Sequence, residues 1–444
     1  MNKVKNITYY NDNLLVYTNR WYRKEPDATG NWTTVGPVGY NSGTGDHTIY
    51  GDYLILAMGG KKAKKVDSSW YVTDVSADAT PSKSTICHTH QYRLWLNDED
   101  NKMHLHGSKI LNPFDSDSYS ANQDHVKIDL TKLINEEDEI IGVRTLTNSI
   151  MAIFLKKHIV LYDAPSDYNS IKLIQIINVG ALGNNSIINW GSDILFASLD
   201  GIRSLTSSIK QQEIDLNNLT NNISNRYRGL VRKNIDNLSE VSLGYNLTKN
   251  HLYVSFPYSN GETLIYSTES QQFIGTAKFH TQPYSWFQKI DQTGIYMGGG
   301  DNYIYKFEDE DYHNMDDNQY NIPFKVSYPY ISEDIMVNKV LKDMFIFTES
   351  TKNASLKIRF WHGLKEDSKH SNEIIFTVTG SDPYWRSGKW REPRFRECSA
   401  FDLSQISSFT GRGNLFCLDI EKVTEDARIK LLDNFAKIYY EGEN

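Results

Sequence analysis

One cadence constrains this chain more than anything else in it, and it shows most clearly from Trp190 to Thr206, WGSDILFASLDGIRSLT. The stretch reads as a strand at Trp190, a Gly-Ser-Asp turn, a strand from Ile194 to Ala197, an Asp200-Gly201 turn and a strand from Ile202 to Leu205. Asp-Gly between apolar runs signals a hairpin, because both central positions of its tightest turn want positive φ. The same cadence recurs in DNLLVYTNRWYRKE from Asp12, GDYLILAMGGKKAKKV from Gly51 and HQYRLWLNDEDNKMHLHG from His90. It comes again in NSIMAIFLKKHIVLYD from Asn148, KNHLYVSFPYSNGETLIYS from Lys249 and QTGIYMGGGDNYIYKFE from Gln292, seven copies in all. Their first strand residues are Leu14, Tyr53, Tyr92, Ile150, Ile194, Leu252 and Ile295, separated by 39, 39, 58, 44, 58 and 43 residues. Four of these six separations sit near the roughly 40 to 50 residues of a four-stranded propeller blade, and the two long ones contain insertions. The expected fold is therefore all-β, with a β-propeller of about six to seven blades over residues 1–310.

The ends of this region and its insertions carry separate expectations. Val4 to Tyr10 reads either as a strand that closes the ring against the last blade or as part of the first blade. The basic run Lys61 to Lys65 reads as a solvated strand edge that discourages stray pairing. The insertion 107–138 is a long polar connection in which Asp115, Asp117 and Asp124 match a calcium loop only in part, since its Gly and terminal Glu are missing. The insertion 206–238 spaces Leu216, Leu219, Ile223, Tyr227 and Val231 as one amphipathic helix would. Phe114, Tyr119, Tyr227 and Arg228 are the candidate contact residues of these two insertions.

Four histidines fall in the third copy as His88-Thr-His90 and His104-Leu-His106. Residues two apart on a strand share a face, so each pair can offer two imidazoles to one metal. The strand Arg93 to Leu96 should lie between the pairs and hold them about 9 to 10 Å apart, too far for an easy four-ligand site. Packed or surface histidines are the expectation, with no metal and no cofactor.

After the acidic, Asn-rich run Glu308 to Asn318, which reads as a linker or loop placed at 311–320, longer strands begin. Good alternation in Leu356-Lys357-Ile358-Arg359-Phe360 suggests a sheet with one wet face, and residues 321–444 read as an antiparallel β-sandwich. Within it Tyr384, Trp385, Arg386, Trp390, Arg391, Arg394 and Arg396 alternate aromatic and basic side chains. That composition belongs to interface hot spots and to single-strand nucleic-acid grooves; the net charge of −8 favours the interface.

Several function classes lack support. Three cysteines at ordinary spacing give neither a disulfide framework nor a zinc signature. No apolar run approaches a membrane span, and MNKVKNITYYNDN has no apolar export region, so the chain is expected to stay where it is made. No phosphate loop, HExxH, GxSxG, CxxC or sialidase-type box occurs, so no catalytic residue and no enzyme activity is expected.

The run INVGALGNNSIINWGSDILFASLDGIRSL from Ile177 to Leu205 resembles the hub or nozzle family of short-tailed bacteriophages, also called packaged-DNA stabilisation proteins. HQYRLWL from His90, the NPFD loop at Asn112 to Asp115 and IIGVRTLTNSIMAIFLKKHIVLYD from Ile140 are similar to earlier units of such proteins, in the same order. The likeness spans about residues 12 to 310. It implies a homo-hexameric ring in the virion tail, assembled in the host cytoplasm below the portal and its adaptor. It also implies contact with a fibre or spike and a tail plug or needle, and DNA that passes without sequence-specific binding. A carbohydrate-binding or carbohydrate-active propeller is the alternative on the same fold.

Overall fold

Each of the seven copies supplies the second and third strands of its own antiparallel sheet in the computed structural model, and the seven sheets are the blades of a β-propeller. The structure describes residues 3–307 apart from 26–30, 37–44, 76–80, 116–117, 120–123, 206–217, 259–261, 280 and 289–294. Beyond them it describes eight strands between 325 and 440. The chain divides into two units, Met1–Asp309 and Glu310–Asn444.

Blade 1 is β1 (Asn6–Tyr10), β2 (Asn13–Tyr17), β3 (Trp21–Lys24) and β4 (Thr33–Val35). Blade 2 is β5 (Asp46–Tyr50), β6 (Tyr53–Ala57), β7 (Lys64–Val66) and β8 (Val72–Asp74). Blade 3 is β9 (Cys87–His90), β10 (Arg93–Asn97), β11 (His104–Gly107) and β12 (Val126–Asp129). Blade 4 is β13 (Ile140–Thr145), β14 (Ile150–Leu155), β15 (Ile159–Asp163) and β16 (Lys172–Ile177). Blade 5 has β17 (Ile187–Trp190), β18 (Asp193–Ala197) and β19 (Ile202–Ser204). Blade 6 is β20 (Ser242–Asn246), β21 (His251–Phe256), β22 (Glu262–Ser267) and β23 (Gln272–Lys278). Blade 7 has β24 (Pro283–Phe287), β25 (Ile295–Gly299) and β26 (Ile304–Phe307).

The second strands are apolar at nearly every position because both of their faces are covered by neighbouring blades. Leu54, Ile55 and Leu56 of β6 are fully buried in succession, as are Met151 to Leu155 of β14. The core is thus a ring of inter-blade layers: Leu15, Trp21 and Leu56 between blades 1 and 2, and Trp95, Leu105 and Ile153 between blades 3 and 4. Between blades 6 and 7, Tyr253 stacks on Trp286 at 5.1 Å, and the indole donates to Ser255 Oγ at 3.0 Å.

Closure settles the two readings of Val4 to Tyr10 in favour of the first blade. β1 pairs with β2 and lies innermost, and among the described residues it pairs with no strand of blade 7. The ring closes by packing: Val4, Ile7, Leu14 and Val16 meet Phe287, Tyr296 and Ile304. Val4 N–H donates to Gly299 O at 3.0 Å, and Ser285 Oγ donates to Val4 O at 2.9 Å. Gly298 is required here, since a Cβ on it would stand 2.5 Å from Val4 Cγ1.

The anchor hairpin differs from its expected turn chemistry. Neither Asp200 nor Gly201 has positive φ. Ser198 N–H and Oγ both donate to Gly201 O, at 2.8 and 2.7 Å. Gly201 is needed for space instead, because the Asn218 side chain occupies the place of its Cβ at 2.1 Å. Asn218 bridges Arg203 and so starts a fourth position on blade 5. The helix that follows, α1, runs from Ser224 to Lys233, shorter than the spacing from Leu216 suggests. Its face of Tyr227, Leu230 and Val231 packs against Leu195, Ala197 and Val254. The Lys61 to Lys65 run is also corrected: Lys64 and Lys65 lie on β7, a paired third strand, with β8 outside it. Lys64 bridges Asp74, and Lys65 lies over the rings of Tyr53 and Phe114.

The second unit holds two four-stranded antiparallel sheets. In one, β27 (Lys325–Ser327), β33 (Phe416–Lys422), β29 (Ala354–His362) and β30 (Asn372–Val378) pair in that order. In the other, β28 (Lys339–Ser350) pairs with β31 (Ser399–Asp402), β32 (Gly411–Gly413) and β34 (Ile429–Tyr440). The alternation read in β29 holds: Leu356 and Ile358 are fully buried, while Lys357 and Arg359 reach Glu373 on the wet face. No helix among the described residues is long and apolar enough to cross a membrane.

Candidate functional site

Two polar clusters stand out, one on the propeller axis and one in the outer half of blade 3. The innermost strands bring polar residues together at the axis, where backbone edges face one another and leave side chains to fill the centre. Asp46 is buried, and its carboxylate accepts from His47 N–H at 3.0 Å and Cys87 N–H at 3.2 Å. Burial pushes its carboxyl up, against the pull of Arg144 and the amide of Asn184. Arg144 donates to Asn184 Oδ1 at 2.9 Å and to Val143 O at 2.8 Å. Burial, with the Arg144 charge beside them, lowers His47 to about 4 and His88 to about 3, so both rings are neutral near pH 7.

At one mouth of the axis a cleft of about 310 Å³ collects Lys5, Thr85, Ile141, Asn185, Glu240 and Tyr284 from several blades. Lys3 binds Glu240 there at 2.9 Å and lies over the rings of Tyr258 and Tyr284. Burial works against the charge on Lys3, but hydrogen bonds with Tyr258 and Glu240 outweigh it and raise its pKa.

The two histidine pairs flank β10, as their spacing requires. His88 and His90 turn towards blade 4, where both share Thr145 Oγ1, at 2.8 and 2.9 Å. His90 Nε2 also lies 3.1 Å from Ala164 O and 3.3 Å from Ser149 O. Three of the four ring nitrogens of this pair thus meet the protein's own polar groups. Arg93, on the strand between the pairs, is 1% exposed and donates to Ser108 O and Asp124 O at 2.6 Å each and to Ser166 O at 3.0 Å.

His104 and His106 have different surroundings. Asp98, at the end of β10, joins them: one ligand atom from each of the three residues lies within 4.8 Å of the others. Asp98 is fixed by its own turn, accepting from Asp100 N–H at 3.0 Å and Asn101 Nδ2 at 2.7 Å. His106 Nδ1 lies 3.3 Å from His125 Nε2, and His104 Nε2 lies 3.4 Å from Asp129 Oδ1. The remaining nitrogens, His104 Nδ1 and His106 Nε2, are buried without a hydrogen-bond partner. Burial, reinforced by His125, lowers His106 to about 4. The spacing of the pair was legible in the sequence, but Asp98, His125 and Asp129 were not singled out. The available signal was an acid at the start of the hairpin turn that leads into His104.

The other candidates separate clearly. Phe114 packs edge-on against Tyr50 and Tyr53, with centroids 5.7 and 5.0 Å away. Tyr119 and Tyr227 are buried, and the Tyr227 hydroxyl donates to Ser198 O at 2.7 Å. These two tyrosines are core residues of their own chain, a correction to their reading as contacts; the apolar surface that made them candidates is used internally. Arg228 is exposed on α1. Asp115 and Asp124 are described, but Asp117 is not, and Tyr384, Trp385, Arg386, Trp390, Arg391, Arg394 and Arg396 also lie outside the described residues.

No family model and no curated protein matches this chain.

Proposed function

We propose that this protein is a structural component of a short phage tail, a hub or nozzle subunit that associates with copies of itself around a channel for DNA. The observation that carries the reading is the ordered likeness from His90 to Leu205, which covers blade 3 to blade 5 in sequence order. The outer edges of blades 4 and 6 support it. β16 and β23 are edge strands, and each carries a bulge whose extra residue, Ile174 or Ile274, is exposed. Leu173 beside the first is exposed as well. Unpaired edges with apolar side chains favour association with another chain, and bulges re-aim side chains outward. Side chains such as Asp46 and Cys87 are buried at the propeller axis, so a channel in this reading lies between subunits, where a net charge of −8 would keep DNA from sticking.

Light scattering with class averages of negatively stained particles tests this. A closed ring with an open centre, six-fold on the family likeness, is the expected result. A monomer at every concentration that also binds or cleaves glycans would replace this reading with the carbohydrate one.

A further inference from the structure

We propose that Asp98, His104 and His106 form a binding site for one divalent transition-metal ion, zinc being the natural occupant, with the two imidazoles coordinating through His104 Nδ1 and His106 Nε2.

The donor set is the first argument. Two imidazoles and a carboxylate are a recurrent three-residue zinc set that leaves a fourth position for water. The second argument is the unpaired nitrogens. Burying a polar atom without a partner is costly, and here two such atoms sit on the two histidines that share a face of β11 beside Asp98. His106, 3% exposed, has no other outlet for Nε2: the nearest acidic oxygen, Asp98 Oδ2, is 3.9 Å away, beyond a hydrogen bond. An ion between them satisfies both groups at once.

The third argument is what holds the opposite ring nitrogens. A ligating histidine normally gives its other N–H to a carboxylate or another acceptor, which fixes the tautomer and the ring. His104 faces Asp129 in this way, and His106 faces His125. Asp129 is itself anchored as the cap of the short 3-10 helix Leu130–Lys132, accepting from Thr131 N–H at 3.2 Å. One ligand atom from each residue already lies within 4.8 Å of the others, and ligand atoms around tetrahedral zinc stand about 3.4 Å apart, so they need to draw in by up to about 1.4 Å, within reach of side-chain torsions. His104 borders an open cleft of about 550 Å³ between blades 3 and 4, which gives an ion and its water a way in. His125 and Asp129 lie in the second half of the 107–138 insertion, so a bound ion would fasten that insertion to the β10–β11 hairpin through the two rings they hold.

The test uses the full chain stripped with EDTA and titrated with zinc by calorimetry against a competing chelator, with cobalt(II) as a spectroscopic probe. One equivalent of zinc is expected, with a higher melting temperature and a cobalt ligand-field band. His104→Gln and His106→Gln should each weaken binding by about 100-fold or more and abolish the band, whereas His88→Gln and His90→Gln should leave both unchanged. Melting each variant in EDTA separates loss of the site from loss of the fold. Should a ligand variant not fold, Asp129→Asn decides instead, with an expected weakening of about 10-fold. No stoichiometric zinc uptake, or uptake that survives in the His104→Gln/His106→Gln double variant, would overturn the proposal.

Discussion

The two histidine pairs of blade 3 have the same spacing, lie on strands that flank the same β10, and end in opposite states. His88 and His90 meet a threonine hydroxyl and two backbone carbonyls supplied by blade 4. His104 and His106 meet a carboxylate at one side and keep two buried nitrogens without a partner. The difference lies in what the neighbouring element presents, not in the pair itself. A histidine pair that meets acceptors from the next blade is cement between blades, and one beside an acid with nitrogens unpaired offers the donors a cation needs.

The comparison breaks most severely at Arg93, the residue on the strand between the pairs. Arg93→Ala would strand three carbonyls that it now satisfies and open a cavity, costing about 3–5 kcal/mol. A urea midpoint unchanged from the parent would show that Arg93 does not tie blade 3 to its surroundings.

Acid sharpens the contrast next. The pKa values of His47 and His88 in the folded chain lie below the ordinary histidine value, so the unfolded chain takes up protons first as pH falls. Stability contributed by these neutral rings is present in full above about pH 6.5 and is lost progressively towards pH 4 for His47 and pH 3 for His88. The slope is at most about 1.4 kcal/mol per pH unit for each histidine. Denaturation curves from pH 7 to 4 measure it, and His88→Gln should flatten the dependence.

Thr145→Val removes the hydroxyl that serves both His88 and His90, and the expected loss is about 1–3 kcal/mol. Zinc affinity should stay at the parental value in this variant; a fall in affinity would mean that the two pairs are coupled through β10. The smallest effect on folding belongs to the outer edges. Leu173→Lys with Ile174→Lys should shift stability by no more than about 0.5 kcal/mol, because both side chains are exposed. Particle mass should nevertheless fall if blade 4 forms a subunit contact, and an unchanged mass would exclude this edge as that contact.

Legibility followed the same division. The seven second strands could be read because burial on two faces demands uninterrupted apolar runs such as Ile150 to Leu155, and because each run is followed by a turn. Helix α1 was visible through Tyr227, Leu230 and Val231, but its start at Ser224 was not, since Leu219 and Ile223 extend the apolar spacing while packing outside the helix. Tyr119 and Tyr227 looked like contact residues because aromatic character does not tell an internal partner from an external one. Asp98 was hidden because an Asp in Asn97-Asp98-Glu99-Asp100 reads as ordinary turn chemistry, which it also performs.

By itself the sequence determined the repeat, the all-β class, the second strand of every blade and the opposite sides of β10 on which the two histidine pairs sit. These follow from local periodicity, which a chain cannot satisfy in another register without exposing its apolar face. Only the tertiary structure decided that the ring has seven blades, that it closes by packing β1 against blade 7, and which histidine nitrogens go unpaired. Those outcomes depend on contacts between residues far apart in the chain, such as Val4 with Gly299 and His90 with Ala164, whose partners no local pattern names.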